Sequence, residues 1–496
     1  AKQYAQNDED VSVAVEFVVE GGGGASGFSD GFSAKHHAAK AATSAATIEM
    51  RNFATRAAML TVWGGLTTSQ QDAIPDGTLW SDGTVTYARK AGSTAISDFS
   101  GWLPFGALTP LHWQTNTAPG TTDMASGFAG MFAYWETLAS FLSDSTNFRP
   151  TIYGKTVAAV MHVPAGTYFT TGEWVPNSPA GRMMMLKGDG AGRTTVIMPT
   201  DGTAKYFIRQ PDRNPTSNPY HFLDVRGIKF IGGKGLYLNE EPDAAFVQRG
   251  VNLIDVDILG FTGCGIGSLW ADDPKWTFNR VRIETKAPNT LGVYIPRGVA
   301  NPSFTDVSII GCTYRIVFAG AAQSNSVLSG LTMLSITGDD HEADIWFKTI
   351  DPADTNNGRE VIITGNRFSS ENRNGKPVVL IADGNGVGGE LAERPVLSTS
   401  TRRFRDWLFV GNAVSGGGSA DVASAGPMIV SYTTDIGAAE IRDNSMNVGF
   451  SEILWLSADP TGLKANRFRI GPNQFASGGE EPQPSNRPFG LWIRAD

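Results

Sequence analysis

From about residue 155 onward, hydrophobic and polar positions follow a short repeating beat. An apolar or Asn residue, an outward residue and a second apolar residue recur between turns rich in Gly, Asn and Asp. The triplet reads Ile228-Lys229-Phe230, Val256-Asp257-Ile258, Val281-Arg282-Ile283, Val307-Ser308-Ile309 and Leu331-Thr332-Met333. It continues as Asn366-Arg367-Phe368, Asn412-Ala413-Val414, Asn444-Ser445-Met446 and Asn466-Arg467-Phe468. Alternation of period two predicts strands whose first and third residues face a core. The starting positions differ by 28, 25, 26, 24, 35, 46, 32 and 22 residues. A unit of roughly two to three dozen residues with variable insertions predicts a right-handed parallel β-helix over residues 156–496, with insertions leaving as surface loops. The change of lead residue from Val to Asn predicts a ladder in which Asn366, Asn412, Asn444 and Asn466 stack at a turn and hydrogen-bond from rung to rung.

Upstream the period changes. Ala34, Ala38, Ala41, Ala45, Ile48, Asn52, Thr55 and Met59 recur at alternating spacings of four and three. That heptad stripe predicts a helix over residues 33–60, N-capped by Ser33, with a seam of small residues suited to a parallel bundle. Residues 61–120 read as a small β unit. Two strands flank the Asp82-Gly83 turn between Gly77 and Tyr87, and Gly101-Trp102-Leu103-Pro104-Phe105 closes it. Residues 121–155 carry a helix with Met124, Phe128, Met131, Phe132, Trp135, Leu138, Phe141 and Leu142 on one face. An apolar face of that size suits a plug for the open N-terminal end of a solenoid. Residues 1–32, acidic and then Gly-rich, read as an extended segment.

Composition narrows the partners. The 58 glycines and only 18% charged residues fit a turn-rich, well-buried β architecture. A net charge of −9 argues against nucleic acid as the main partner. The first ten residues hold no basic stretch followed by an apolar one, so no secretory leader is expected. No apolar run reaches the roughly 18–20 residues of a membrane span, so no membrane insertion is expected. Cys264 and Cys312 fall at different points of the repeat and read as free, buried thiols. No cofactor motif and no metal-ligand spacing stands out.

Two stretches carry a family resemblance. Val163-Pro164-Ala165-Gly166-Thr167-Tyr168, followed by residues 186–197 from Leu186-Lys187-Gly188-Asp189-Gly190 to Val196-Ile197, resembles the first coils of the pectate-lyase-like superfamily found in phage tailspikes. Ser33-Ala34-Lys35-His36-His37-Ala38-Ala39-Lys40-Ala41-Ala42 resembles the Ala-rich segment near the N-terminus of phage tail fibre and tailspike proteins. The unit from Phe53 to Leu103 resembles their particle-binding region. The resemblance implies a homotrimer on the virion, held to phage tail or baseplate proteins by its N-terminus. It also implies a β-helix that recognises, and often cleaves, a host surface polysaccharide. The chain departs from that pattern at its far end, where no distinct C-terminal trimerisation or carbohydrate-binding domain is expected after about residue 480.

Candidate chemistry follows from the repeat. Residues just before and after the lead position point outward. Asp255, Arg280 and Asp306 precede it on three successive coils; Lys229, Asp257 and Arg282 follow it, with Glu284 further along. Glycoside hydrolysis uses two carboxyls about 5–5.5 Å or about 6.5–9.5 Å apart. Asp255, Asp257, Glu284 and Asp306 are therefore the candidate acids, with Arg280 and Arg282 as substrate contacts. The loop Trp270-Ala271-Asp272-Asp273-Pro274-Lys275-Trp276 adds rings and carboxylates suited to a sugar. Trp270 and Trp276 would stack on a pyranose face while Asp272 and Asp273 bind hydroxyls. Were the chemistry β-elimination, Arg280, Arg282 or Lys275 would serve as base while the acids held Ca²⁺ against a uronate. The same acid, Arg, acid order also describes a cross-strand salt-bridge ladder without catalysis. Asp339-Asp340-His341-Glu342 reads as a solvated acidic turn. Three functions remain: a depolymerising spike, a non-catalytic receptor-binding tail protein, and a free lyase, the last disfavoured by the missing leader.

Overall fold

In a computed structural model, the structure describes residues 12–16, 28–32, 50–141, 151–152, 155–157, 160–175, 182–210, 221–239, 248–268, 275–295, 302–318, 327–335, 341–348, 361–370, 376–384, 395–396, 407–415, 428–432, 439–447, 454–456, 468–476 and 493–495. The chain divides into two compact units, Ala1–Gly106 and Ala107–Asp496.

The first unit is built on a four-stranded sheet. Leu79–Ser81, Thr86–Arg89 and Trp102–Phe105 pair antiparallel in sequence order, and Arg51–Asn52 joins parallel to the first of them. The Asp82 carboxylate shapes the hairpin by accepting from the N–H groups of Thr84 and Val85, both at 2.9 Å. Under the sheet, Trp63, Trp80, Phe99 and Trp102 pack ring on ring, with Phe99 and Trp102 stacked at 4.8 Å. The expected helix over residues 33–60 needs correction at its end. Residues 33–49 lie outside the described residues, Asn52 is in a strand, and the helix Arg56–Gly65 starts only after Thr55. Thr55 is its N-cap, accepting from the Ala58 N–H at 3.2 Å, so it is a helix start and not a seam position.

The second unit is a parallel β-helix. Each of the early coils has one long strand that bends around the core, a short turn, and one strand of a second sheet. The bent strands are His221–Gly232, Gln248–Leu259, Lys275–Glu284 and Ser303–Ile310. The register aligns the lead positions as the sequence implied: Ile228 with Val256, Val256 with Val281, Val281 with Val307, and Val307 with Leu331. The bend sits one residue earlier, where Gly227, Asp255, Arg280, Asp306 and Gly330 all have positive φ, from 52° to 70°. Leu253 and Val256 flank one such bend and are both fully buried. Inward side chains three apart, with a left-handed residue between them, mean the strand turns a corner around the core. At Gly227 glycine is needed twice over, because a Cβ there would meet the Gly190 nitrogen at 2.9 Å.

From Val327 onward each bent strand becomes two, beginning with Val327–Leu328 and Leu331–Ser335 on either side of Gly330. Val361–Thr364 and Arg367–Ser370, Trp407–Val410 and Ala413–Ser415, and Ala439–Arg442 and Ser445–Asn447 lie on either side of a buried Asn. The amide ladder is present. Asn366 Nδ2 donates to Asn412 Oδ1 at 3.1 Å, Asn412 Nδ2 to Asn444 Oδ1 at 3.1 Å, and Asn444 Nδ2 to Asn473 Oδ1 at 3.0 Å. Its last member is a correction: Asn473, not Asn466. Ser445 pairs with Gln474 and Met446 with Phe475, whereas Phe468 pairs with Ala439 on the preceding strand. The final triplet is thus Asn473-Gln474-Phe475, and Asn466 itself lies outside the described residues.

The helix Ala125–Phe141 packs on the early coils. Phe132 stacks on Trp174 at 4.0 Å, and Phe128 meets Phe207 edge-on at 5.3 Å. Met124, Met131 and Trp135 are buried in the same core. The second sheet is buried on both faces. Ile266, Val293, Ile316 and Ile345 join the solenoid core, while Leu238, Tyr294, Val317 and Trp346 form a separate buried cluster on the other face. Arg315 and Asp344, also on this sheet, form a fully buried ion pair.

Candidate functional site

Because the second sheet is buried on both faces, polar side chains are gathered on the bent strands. The residue after each lead position begins the main row. Thr167, Thr195, Lys229, Asp257, Arg282 and Ser308 pair rung to rung. Thr332, Arg367, Ala413, Ser445 and Gln474 continue it. None of these eleven residues is buried. At about 4.8 Å per rung the row runs roughly 48 Å.

Within this row the charges pair. Lys229 Nζ lies 4.0 Å from Asp257 Oδ2. Arg282 Nε donates to Glu284 Oε2 at 2.8 Å on the same strand face, and its Nη2 closes on the same oxygen. Burial pushes the Asp257 carboxyl above its ordinary range. Lys229 and Arg282 oppose that shift, and the Asp255 and Glu284 carboxylates add to it. Asp257 and Glu284, on adjacent coils, therefore sit in one electrostatic neighbourhood.

The corner residues form a second row beside the first. Asp255, Arg280 and Asp306 occupy equivalent bends on three successive coils. Asp255 is half-buried, and Arg280 and Asp306 are exposed. None of the three makes an ion pair or side-chain hydrogen bond among the described residues. Since the strand turns around the core at these positions, they lie on the outside of a corner and form a ridge among the described residues.

The tryptophan loop needs correction. Trp276 is fully buried beside Phe278, ring centroids 6.1 Å apart, so it is a core residue and does not stack on sugar. It shares the inward face of its strand with Phe278, as period two requires. Trp270, Asp272 and Asp273 lie outside the described residues, and the Lys275 side chain is likewise not described. The expected acidic turn also differs. His341 is buried, and Glu342 pairs with Lys376 at 2.6 Å; Asp339 and Asp340 lie outside the described residues. Cys264 and Cys312 are both buried free thiols. Burial, with Cys312 nearby, pushes the Cys264 thiol up, out of the reactive range.

Two polar groupings escaped the sequence reading. On the first limb of the bent strand, Arg226 holds the buried Asp224 through Nε and Nη2, both at 2.7 Å, and Asn252 Nδ2 adds a third bond at 2.9 Å. The Asp-x-Arg spacing was the available signal, since residues two apart share a strand face. Nearer the start, His162 Nε2 lies 2.9 Å from Asp189 Oδ1, and Asp189 Oδ2 accepts from the Ala165 N–H at 2.7 Å. The His162 hydrogen bond holds the Asp189 carboxyl below the usual range. Nothing in the periodicity joins those two positions.

No protein-family model matches the chain, and no curated protein matches it. Among solved structures, it is similar to the ORF18 protein of Geobacillus virus E2, with 13% identity over 86% of this chain and 73% of that one and a TM-score of 0.30. It is similar to PfbA, a surface adhesin of Streptococcus pneumoniae, with 11% identity over 75% and 91% and a TM-score of 0.41. It is also similar to DFA-IIIase from Arthrobacter chlorophenolicus A6, with 13% identity over 75% and 94% and a TM-score of 0.37.

Proposed function

We propose that this chain is a phage tail spike or tail fibre whose β-helix recognises a host cell-surface polysaccharide. The observation that carries the reading is the solvent-facing row from Thr167 to Gln474, unbroken over eleven rungs. A surface that repeats at a fixed spacing suits a ligand that repeats too, and surface polysaccharides are such polymers. The N-terminal resemblance supplies the virion end of the reading: attachment through residues 1–120 to tail or baseplate proteins, and a homotrimeric spike.

Cleavage is the second reading. It is favoured by Asp257, whose desolvated carboxyl is pushed toward the protonated form beside the Arg282-bound Glu284. A general acid and an ionised partner on neighbouring rungs are the parts glycoside hydrolysis needs. Against it stands the engagement of both carboxylates by cations.

One experiment separates these readings. The purified protein is incubated with host surface polysaccharide while retention on the polymer, new reducing ends and unsaturated-uronate absorbance are followed together. Retention without either product signal is the expected result. Reducing ends alone, lost in Asp257→Asn and Glu284→Gln, would establish the hydrolase; both signals would establish a lyase and direct attention to Arg280 and Arg282. Absence of retention would sink polysaccharide recognition itself.

A further inference from the structure

The corner of the β-helix demands a left-handed residue, and glycine is the residue that adopts this conformation without strain. Gly227, Gly330, Gly365 and Gly411 fill it with φ between 64° and 70°. Between the first two of these, three successive coils place Asp255 at 56°, Arg280 at 52° and Asp306 at 54°. Asp443 is also left-handed, at 55°, but its carboxylate is engaged by Arg442. Asp255, Arg280 and Asp306 have no such partner among the described residues. An Arg cannot offset the strain as a short polar side chain does, by bonding to its own backbone. At Arg280, therefore, the charge is kept at the expense of the fold, and an exposed, strained, unpaired charge points to a role outside the chain.

The order of the charges says what. The coil carrying Lys229 is positive on this face. The next, with Asp255 and Asp257, is negative. The third, with Arg280, Arg282 and Glu284, is net positive, and the fourth, with Asp306, is negative. The bands alternate in sign, one rung apart. A polymer of one charge would meet repulsion at every second rung, whereas one bearing both ammonium and carboxylate groups meets a complement at each.

We infer that the ridge of Asp255, Arg280 and Asp306 selects a zwitterionic polysaccharide, one whose repeat carries both a free amino group and an acid. The inference rests on the polysaccharide-recognition reading above and specifies its ligand.

The test uses the full chain on an array of purified bacterial capsular and O-antigen polysaccharides, sorted by charge into neutral, anionic and zwitterionic classes. The polymers retained are expected to be zwitterionic. Acetylating the amines of a retained polymer with acetic anhydride should weaken its Kd about tenfold or more, as loss of a charge-assisted contact does. Arg280→Gly and Asp306→Gly, which suit the corner conformation and so preserve the fold, should each weaken it about tenfold. Retention of neutral or purely anionic polymers, or glycine variants that bind like the parent, would overturn the inference while leaving polysaccharide recognition standing. Retention of nothing on the array would remove both. A change of mass in light scattering with either glycine variant would show the ridge to be a subunit contact, which also overturns it.

Discussion

The early and late coils turn the same corner by different means. In the early coils the lead position is aliphatic, and one continuous strand passes through the bend. In the late coils the lead is Asn, and the strand breaks in two around it. The hydrogen bonds explain the break. Asn412 Oδ1 accepts from the Asn366 N–H at 3.1 Å, and Asn412 Nδ2 donates to the Ile363 carbonyl at 2.8 Å. The side-chain amide has taken over the bonds that neighbouring backbones would otherwise exchange, so the two limbs no longer form one ladder. The corner thus has two solutions: an apolar stack with backbone pairing, or an amide stack that replaces the pairing. They meet at one coil boundary, where Asn366 Oδ1 accepts from the Leu331 N–H at 3.1 Å and Asn366 Nδ2 donates to the Leu328 carbonyl at 2.8 Å.

The largest test of that contrast is Asn412→Leu. It removes an amide that serves Asn366 N–H, Asn366 Nδ2, the Ile363 carbonyl and Asn444 Oδ1 at once. At about 1–3 kcal/mol for each buried group left unpaired, a loss of roughly 3–5 kcal/mol is expected, read as a fall in urea midpoint. The reverse exchange, Val281→Asn, puts an amide between the apolar side chains of Val256 and Val307, where the neighbouring strands are already paired with each other. A loss of roughly 2–4 kcal/mol is expected; a neutral outcome would mean that the early corner tolerates a lone amide and that the contrast is superficial.

Glycine at the corner probes the other difference between the regions. Arg280→Gly should raise stability by up to about 1–2 kcal/mol by relieving the left-handed strain, measured as an upward shift in thermal midpoint. Among the late corners Gly365 and Gly411 are already glycine, and the counterpart is Asp443→Gly, which also gives up the pairing with Arg442.

The smallest effect concerns pH. Burial sets the Asp257 carboxyl above its unfolded value, against the pull of Lys229 and Arg282. A carboxyl raised in the folded state costs stability while ionised. That cost is relieved as pH falls through the raised value, so this group favours the fold on the acid side. Asp257→Asn should flatten that acid-side gain in denaturation curves taken from pH 7 down to pH 4; an unchanged slope would show that the lysine and arginine pairings dominate.

Much of the solenoid was legible because inward and outward residues alternate. Eight of the nine triplets fall where the register pairs them. The ninth failed because the chain offers the same pattern twice: Asn466-Arg467-Phe468 and Asn473-Gln474-Phe475. Only pairing shows that Phe468 belongs to the limb before the corner. The Ala-rich heptad spacing extends through Asn52 and Thr55 because spacing cannot tell a small polar seam residue from a strand residue or an N-cap. Trp276 was drawn toward the surface by its acidic neighbours, although its spacing from Phe278 gave the inward face. The site was legible as a list of charges but not as a shape. Asp and Arg do not announce a left-handed bend as Gly does, so a ridge was read as a flat face with room for a groove.

The direction of the rung-to-rung bonds has a mechanical consequence. Strands of a parallel coil lie across the solenoid axis, so their hydrogen bonds run along it. Tension along that axis opens one rung's bonds together, like a zipper, while compression closes them. The amide chain from Asn366 to Asn473 lies parallel to the same axis and adds a strut inside the late coils that the early coils lack. Pulled end to end, this unit should yield in steps of single coils; pushed, it should behave as a stiff rod.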